Sequence, residues 1–358
     1  MQTVHLRKRL AYRYDLHGLI QIVSTVRVPQ LAYFDQSRPG PPQMDMISIY
    51  VEDKLASRGG VRQVGRNFWY DDKTDELTYA PPRLPKSLRV SVKLGRNSVI
   101  RLSRSFYNAS LTFRTRFDLY NILMAVLSTR LLINGYKLQY SACVSIDSRG
   151  VLLPAFSDIG KTTTVLSLVR KGAAQYVSDD ATIIDPMGYA LCLPTAVRPG
   201  GSGGGGTAPR ADAARNAAEK ICQALKEVYP FGGVLPSAPR NPSSYSLFVD
   251  RTSIVDRVRV ASVCFLEWGE SGSRTIDVQT ALNRLWALDL FEPTWFSNMM
   301  VAAYGYARPD LDFGELLVKD VGITRKFAES VGRFRVISYS GKDFSEPVLQ
   351  HFREDAAS

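Results

Sequence analysis

The residues of this chain best suited to chemistry are Gly160-Lys161-Thr162-Thr163 and, farther on, Asp179-Asp180. Chemistry on phosphates needs backbone N–H groups turned toward an anion and a lysine to neutralise the outer phosphates. It also needs a hydroxyl for Mg²⁺ and a carboxylate to hold the metal or take a proton. Ser157, Asp158, Ile159 and Gly160 could offer the N–H groups, Lys161 the charge, Thr162 the hydroxyl, and Asp179 and Asp180 the carboxylates. The usual loop of this kind has two glycines separated by four residues, then Lys and Ser or Thr. Here Gly160 fills the second glycine position and Ala155 stands at the first. A lysine at a helix start opposes the macrodipole unless an anion sits beside it, so the position of Lys161 itself argues for bound phosphate. The combination reads as a nucleotide site.

Such residues need elements to position them. Val151-Leu152-Leu153 is a short apolar run of the kind a buried parallel strand shows. Val165, Leu168 and Val169 lie at helical spacing, and Lys171-Gly172 supplies a basic last turn and a glycine stop. Ala174 to Val177 reads as a second strand feeding Asp179. The expected order is strand, loop, helix, strand, carboxylate pair.

With that context the chain resembles the HPr kinase/phosphorylase superfamily, particularly its stand-alone bacterial and archaeal relatives. The resemblance is carried by Ser-Ala-Cys-Val-Ser-Ile-Asp-Ser-Arg-Gly-Val-Leu-Leu-Pro at 141–154, the loop through Thr163, Lys171-Gly172 and Ser178-Asp179-Asp180-Ala181. Val258 to Trp268 is similar to the core strand these kinases carry before a helix such as Ala281–Leu290, and the likeness spans roughly 116 to 290. It implies an ATP-dependent phosphotransferase related in fold to phosphoenolpyruvate carboxykinase. The loop would bind the phosphates, one aspartate would activate the acceptor hydroxyl, and the other would help with Mg²⁺. Three departures stand out: Tyr140 occupies the place of a histidine found in many members, Ala155 replaces the first loop glycine, and the Lys-to-Asp interval is about one residue longer. They weigh against the reverse, phosphorolytic activity of the HPr enzyme and, more heavily, against its protein substrate.

Composition fits a soluble enzyme. The chain has 358 residues, enough for two domains or one with an appendage, and its apolar share of 45% is ample for a core. Leu119 to Ile133, the longest apolar stretch, contains Arg130 and reads as a buried helix. The N-terminal Met-Gln-Thr-Val-His-Leu-Arg-Lys-Arg-Leu has no apolar run after its basic residues, so no signal peptide is expected. Cys143, Cys192, Cys222 and Cys264 are far apart and lack metal spacing, which suits a reducing, cytoplasmic compartment. The only three histidines, His5, His17 and His351, lie near the termini, which turns the acid–base work over to carboxylates. His17 is expected in a surface or interdomain hydrogen bond.

The net charge of +11 would steer an anionic ligand. It would steer nucleic acid too, but the basic residues are spread widely, with no dense tract interleaved with aromatics. Leu88 to Leu94 alternates strictly and predicts a strand with Arg89 and Lys93 on a solvated face. The first 115 residues look β-rich: Ile47, Ile49 and Val51 alternate, and Phe68–Tyr70 and Leu77–Tyr79 flank a polar loop like the arms of a hairpin. The Asp71-Asp72 tip reads as a solvated turn, and Leu111 and Phe113 as part of a short strand.

Gly-Gly-Ser-Gly-Gly-Gly-Gly at 200–206 is a flexible loop by composition, either a lid beside the nucleotide or a plain linker, with Arg198 and Arg210 at its flanks. Ala214, Ala218, Ile221, Leu225 and Val228 then form a helical stripe. Thr280 is expected to cap a helix over Ala281 to Leu290, with further helices at Trp295–Ala303 and Phe313–Val331 and a late strand at Phe334, Val336 and Tyr339.

The fold class read from all this is α/β: a P-loop kinase core of the HPr kinase / phosphoenolpyruvate carboxykinase type with a β-rich N-terminal domain. The domains are 1–115, β-rich; 116–290, the kinase core; and 291–358, a helical C-terminal extension. The expected reaction moves the γ-phosphoryl of ATP to a hydroxyl of a small metabolite, a peptide or protein serine, or, last in order, an RNA ribose. ATP and Mg²⁺ are the implied cofactors. Candidate catalytic residues are Lys161, Asp179 and Asp180, with Ser157 to Thr163 on the nucleotide and Thr162 and Asp180 on the metal; which aspartate is the base stays open. Partners are the nucleotide and a hydroxyl-bearing acceptor, with no membrane, and a homo-oligomer is allowed. The alternatives are a non-catalytic nucleotide-binding regulatory module and a carboxykinase-like enzyme.

Overall fold

A computed structural model describes residues 10–35, 45–55, 61–80, 88–114, 119–194, 196–197, 235–236, 246–247, 249–291 and 298–357. The Gly-rich tract at 200–206, Arg198, Arg210, the stripe from Ala214 to Val228, Cys222, His5 and Trp295 lie outside the described residues. The chain divides into two compact units. One comprises Met1–Arg130, Arg198–Ser246 and Trp295–Asp312; the other comprises Leu131–Val197, Leu247–Thr294 and Phe313–Ser358. The segment read as a C-terminal extension is thus shared between them. Each unit is built on a mixed sheet, so the fold is mixed α/β.

The first unit holds an eight-stranded sheet. Its strands are β1 (Tyr12–Leu16), β2 (Ile20–Ser24), β3 (Asp45–Glu52), β4 (Arg62–Gly65), β5 (Phe68–Asp71), β6 (Glu76–Tyr79), β7 (Val90–Lys93) and β8 (Asn97–Ser103). The spatial order is β1-β2-β3-β8-β7-β6-β5-β4, with β2, β3 and β8 parallel and the remaining pairs antiparallel. Ile47, Ile49 and Val51 are buried as their alternation requires. β5 and β6 form the expected hairpin.

Some expectations in this unit need correction. Asp71, read as part of a solvated tip, is buried as the last residue of β5 and accepts from the Lys73 N–H at 3.0 Å, and Asp72 alone of the two is exposed. Leu111 belongs to helix α1 (Arg104–Thr112), and only Phe113 and Arg114 are extended. Ser103 starts that helix by accepting a hydrogen bond from the Phe106 N–H at 3.1 Å, a local signal that outweighs a two-residue alternation. Arg89 and Lys93 are half-buried rather than solvated, and Ser91 between them is buried. The polar face of β7 is therefore partly covered, and it is anchored by the Ser91 hydroxyl donating to Glu76.

Helix α2 (Leu119–Ile133) has the span expected of it. Arg130 is buried and pairs with Asp45. Among the described residues no helix is long and apolar enough to cross a membrane.

The second unit holds a nine-stranded sheet. Its strands are β9 (Lys137–Gln139), β10 (Ala142–Ile146), β11 (Arg149–Leu153), β12 (Gln175–Ser178), β13 (Thr182–Ile184), β14 (Tyr189–Leu191), β15 (Arg257–Trp268), β16 (Gly272–Thr275) and β17 (Phe334–Tyr339). The main path runs β9-β13-β14-β15-β11-β10-β12, with β17 beside β15 and β16 beside β17. β11, β15 and β17 run parallel to one another. Helices α3 (Lys161–Arg170) and α7 (Ser345–Ala357) cover one face over Val144, Leu153, Leu168, Leu266 and Phe352. Burying each such side chain contributes about 1.5–3 kcal/mol. Arg284 of α4 (Val278–Phe291) lies over the Phe265 ring, which alternation points to the opposite face.

Further helices are α5 (Met299–Ala307), in the first unit, and α6 (Phe313–Val331), in the second. Helix α6 spans the residues expected of it. Helix α5 starts at Met299, with Asn298 capping it through the Met300 N–H at 3.0 Å, and runs past Ala303 to Ala307. The cap of α4 is Asp277 and not Thr280: its carboxylate accepts from the Thr280 N–H at 2.9 Å and the Thr280 hydroxyl at 2.7 Å. Helices α4 and α6 are pinned to β9 by a buried cluster in which Lys137 donates to Asp289 and Asp320 and, at 2.7 Å, to Thr324.

Candidate functional site

The loop 154–160 leaves β11 at the carboxyl end of a strand flanked by β10 and β15, where open α/β sheets bind ligands. β10 is antiparallel to both β11 and β12, so β11 and β12 run in the same direction. Leu152 and Ser178 both pair with Cys143, which sets them level across the sheet. The loop after β11 and the Asp179-Asp180 pair after β12 therefore emerge at the same end of the sheet, two interstrand spacings or roughly 10 Å apart.

Within the loop, Asp158 and Gly160 take positive φ of 67° and 123° while Ile159 does not. Such alternation of backbone hand turns successive N–H groups toward one side. Gly160 is required for a second reason: a Cβ there would lie 2.0 Å from the carbonyl oxygen of Lys342. Helix α3 follows at once and ends as its sequence predicts. Gly172, at φ 67°, donates to the Val169 carbonyl and Ala173 donates to Leu168, both at 3.0 Å, which closes the last turn.

Lys161, the first residue of α3, is 5% exposed. Its ammonium turns back into the loop and donates to the carbonyls of Ala155 at 2.7 Å and Phe156 at 3.0 Å. It also lies 4.3 Å from the centre of the Tyr140 ring. The hydroxyls of Tyr140 and Ser157 are hydrogen-bonded at 2.9 Å. The ammonium thus meets carbonyl dipoles and an aromatic face, and an anion is not the only thing that could relieve its conflict with the helix dipole.

The other residues of the set differ in access. Ser157, Asp158 and Thr163 are exposed, Ile159, Gly160 and Thr162 half-buried. Asp179 is 2% exposed and accepts a hydrogen bond from the Tyr176 hydroxyl at 2.7 Å, whereas Asp180 is exposed. Both stand in the bend that follows β12, which splits the pair between interior and solvent. The hydroxyl of Thr162 and the carboxylate of Asp180 are hard oxygen donors of the class Mg²⁺ takes, and they fit that metal better than a soft one.

Sequence reasoning did not single out Trp268 and Lys342. Trp268 ends β15, and its indole N–H donates to the Ile159 carbonyl at 3.0 Å. Lys342 follows β17, and its ammonium lies 5.8 Å from the centre of the Trp268 ring. The available signal was no more than their position at or just after the end of an apolar strand. His351, expected outside the core by its nearness to the C-terminus, is buried on α7. The described cysteines, Cys143, Cys192 and Cys264, are buried thiols outside any disulfide, and burial pushes the Cys143 thiol up, which makes it a poor nucleophile.

No protein-family model matches the sequence, and comparison with curated proteins finds no significant relative. Among solved structures, the HPr(Ser) kinase/phosphatase from Coxiella burnetii is similar over 62% of this chain and 99% of its own, at 10% sequence identity and a TM-score of 0.28. A likeness that low carries no weight for chemistry.

Proposed function

We propose that the chain is an ATP-dependent kinase with a P-loop core, moving the γ-phosphoryl group to the hydroxyl of a small metabolite or of a peptide or protein serine. The observation that carries this reading is the shared sheet end: a loop with a buried lysine at its helix start and a carboxylate pair just after a strand of the same direction. Backbone N–H groups of Ser157 to Gly160 bind the phosphates, and Lys161 exchanges its carbonyl partners for the β/γ oxygens. Thr162 and Asp180 would hold Mg²⁺, which supplies charge neutralisation on the phosphates when bound. The acceptor oxygen bonds to the γ-phosphorus as the bond to the ADP oxygen breaks. The hydroxyl proton passes to a carboxylate of the Asp179-Asp180 pair. Phosphoryl transfer depends mainly on positioning and charge, so a carboxylate base is adequate.

The test is transfer of labelled γ-phosphate from ATP into fractionated cell extract, with the labelled acceptor identified by mass. Transfer that disappears in Lys161→Ala is expected. ATP binding without transfer to any fraction would leave a nucleotide-binding module instead, and absence of both binding and transfer would end the nucleotide reading.

A further inference from the structure

Three parallel strands, β11, β15 and β17, deliver three segments to one sheet end: the loop 154–160, Trp268 and the turn carrying Lys342. Trp268 is unusual there. It is 53% exposed although it is among the largest apolar side chains in the protein. Its ring is not loosely held, because the indole N–H is fixed to the Ile159 carbonyl at 3.0 Å, within the loop itself. The exposed ammonium of Lys342 lies over the ring, 5.8 Å from its centre, while the Lys342 backbone closes over Gly160. A solvent-open aromatic surface tethered through its N–H, with a cation over one face, suits a ligand that has both a flat ring and a phosphate. Inorganic polyphosphate has only the second.

We infer that Trp268 is the stacking platform for the base of a nucleoside triphosphate whose phosphates enter the loop 154–160, with Lys342 facing the phosphate nearest the ribose. This rests on the nucleotide reading of the loop and adds the residue that engages the base, a contact that pyrophosphate and polyphosphate cannot make. Stacking is sequence-tolerant because every base has a π face, so discrimination among bases at Trp268 is weak.

Calorimetry on the full chain with two Mg²⁺-loaded probes, ATP and inorganic tripolyphosphate, separates the possibilities. Trp268→Leu removes the π face, and Trp268→Phe keeps a π face but loses the indole N–H. The expected result is ATP binding weakened about tenfold to a hundredfold in Trp268→Leu, largely retained in Trp268→Phe, with tripolyphosphate binding unchanged in both. Equal loss of ATP and tripolyphosphate in both variants would make Trp268 a loop anchor and overturn the platform. Unchanged ATP binding in Trp268→Leu would overturn it as well. If the parent binds tripolyphosphate and Lys161→Ala does not, the loop reading stands whatever Trp268 does. Binding of neither probe by the parent overturns both.

Discussion

Lys161 donates to the carbonyl of Ala155 at 2.7 Å, tying the loop's cation to the residue that stands at its first glycine position. Phosphate must displace that bond to reach the ammonium, and a multiply charged oxyanion does so because it offers full charge where the carbonyl offers a dipole. Lys161→Ala is therefore expected to weaken MgATP binding about tenfold or more and to abolish transfer, with the fold kept but its stability lowered by about 1–3 kcal/mol through the carbonyl partners it leaves. Calorimetry and the label-transfer assay check this. Unchanged affinity and activity would sink the loop assignment.

Asp179→Asn and Asp180→Asn should each keep measurable nucleotide binding while lowering transfer steeply, since loss of a general base alone costs about 10²–10⁴-fold. The base variant loses rate with little change in Mg²⁺ dependence, and the metal variant needs more Mg²⁺. Their stabilities separate too: Asp179→Ala removes an acceptor of the buried Tyr176 hydroxyl, at about 1–3 kcal/mol, and should cost more than Asp180→Ala at its exposed position. Turnover within a few fold of the parent in both Asn variants would make the pair structural.

Gly160→Ala tests the loop backbone. A Cβ would meet the Lys342 carbonyl oxygen at 2.0 Å, and φ of 123° is a conformation that side chains disfavour. One of the two segments must move, so a loss of about 2 kcal/mol or more is expected, together with weakened nucleotide binding. A melting temperature equal to the parent's would contradict the close approach.

Asp75 sets an acid limit on the first unit. Burial pushes its carboxyl upward, but hydrogen bonds from Arg308, Tyr70 and Tyr304 outweigh that and hold it below its ordinary 3.8. A depressed carboxylate contributes stability above its unfolded value, and that contribution is lost as pH falls through the folded one. Asp75→Asn should be less stable than the parent by about 1–2 kcal/mol at neutral pH, and the gap should narrow as the pH falls below the ordinary carboxylate value toward the depressed one. Melts from neutral into acid decide; a gap that does not narrow at all as the pH falls would show the partners act by shape and not by charge.

The sequence determined the local pieces by itself. Apolar periodicity and stop residues fixed α2, α3 and α6, because their signals (Arg130 within an apolar run, Gly172 after a basic turn, the period from Phe313 to Val331) act within a few residues. The Gly160-Lys161-Thr162 run and the aspartate pair were legible for the same reason. Tertiary structure decided the rest. That Asp179 is buried and Asp180 exposed, and that both share a sheet end with Lys161, depends on strand order, which periodicity does not encode. Asp75, one residue of a hairpin tip that reads as solvated, became a hub only because Tyr304 and Arg308 reach it from more than 200 residues away. Trp268 is an ordinary strand-end aromatic until β15 is set beside β11. Contacts of that kind join residues distant in the chain, so their chemistry appears only when the strands are paired.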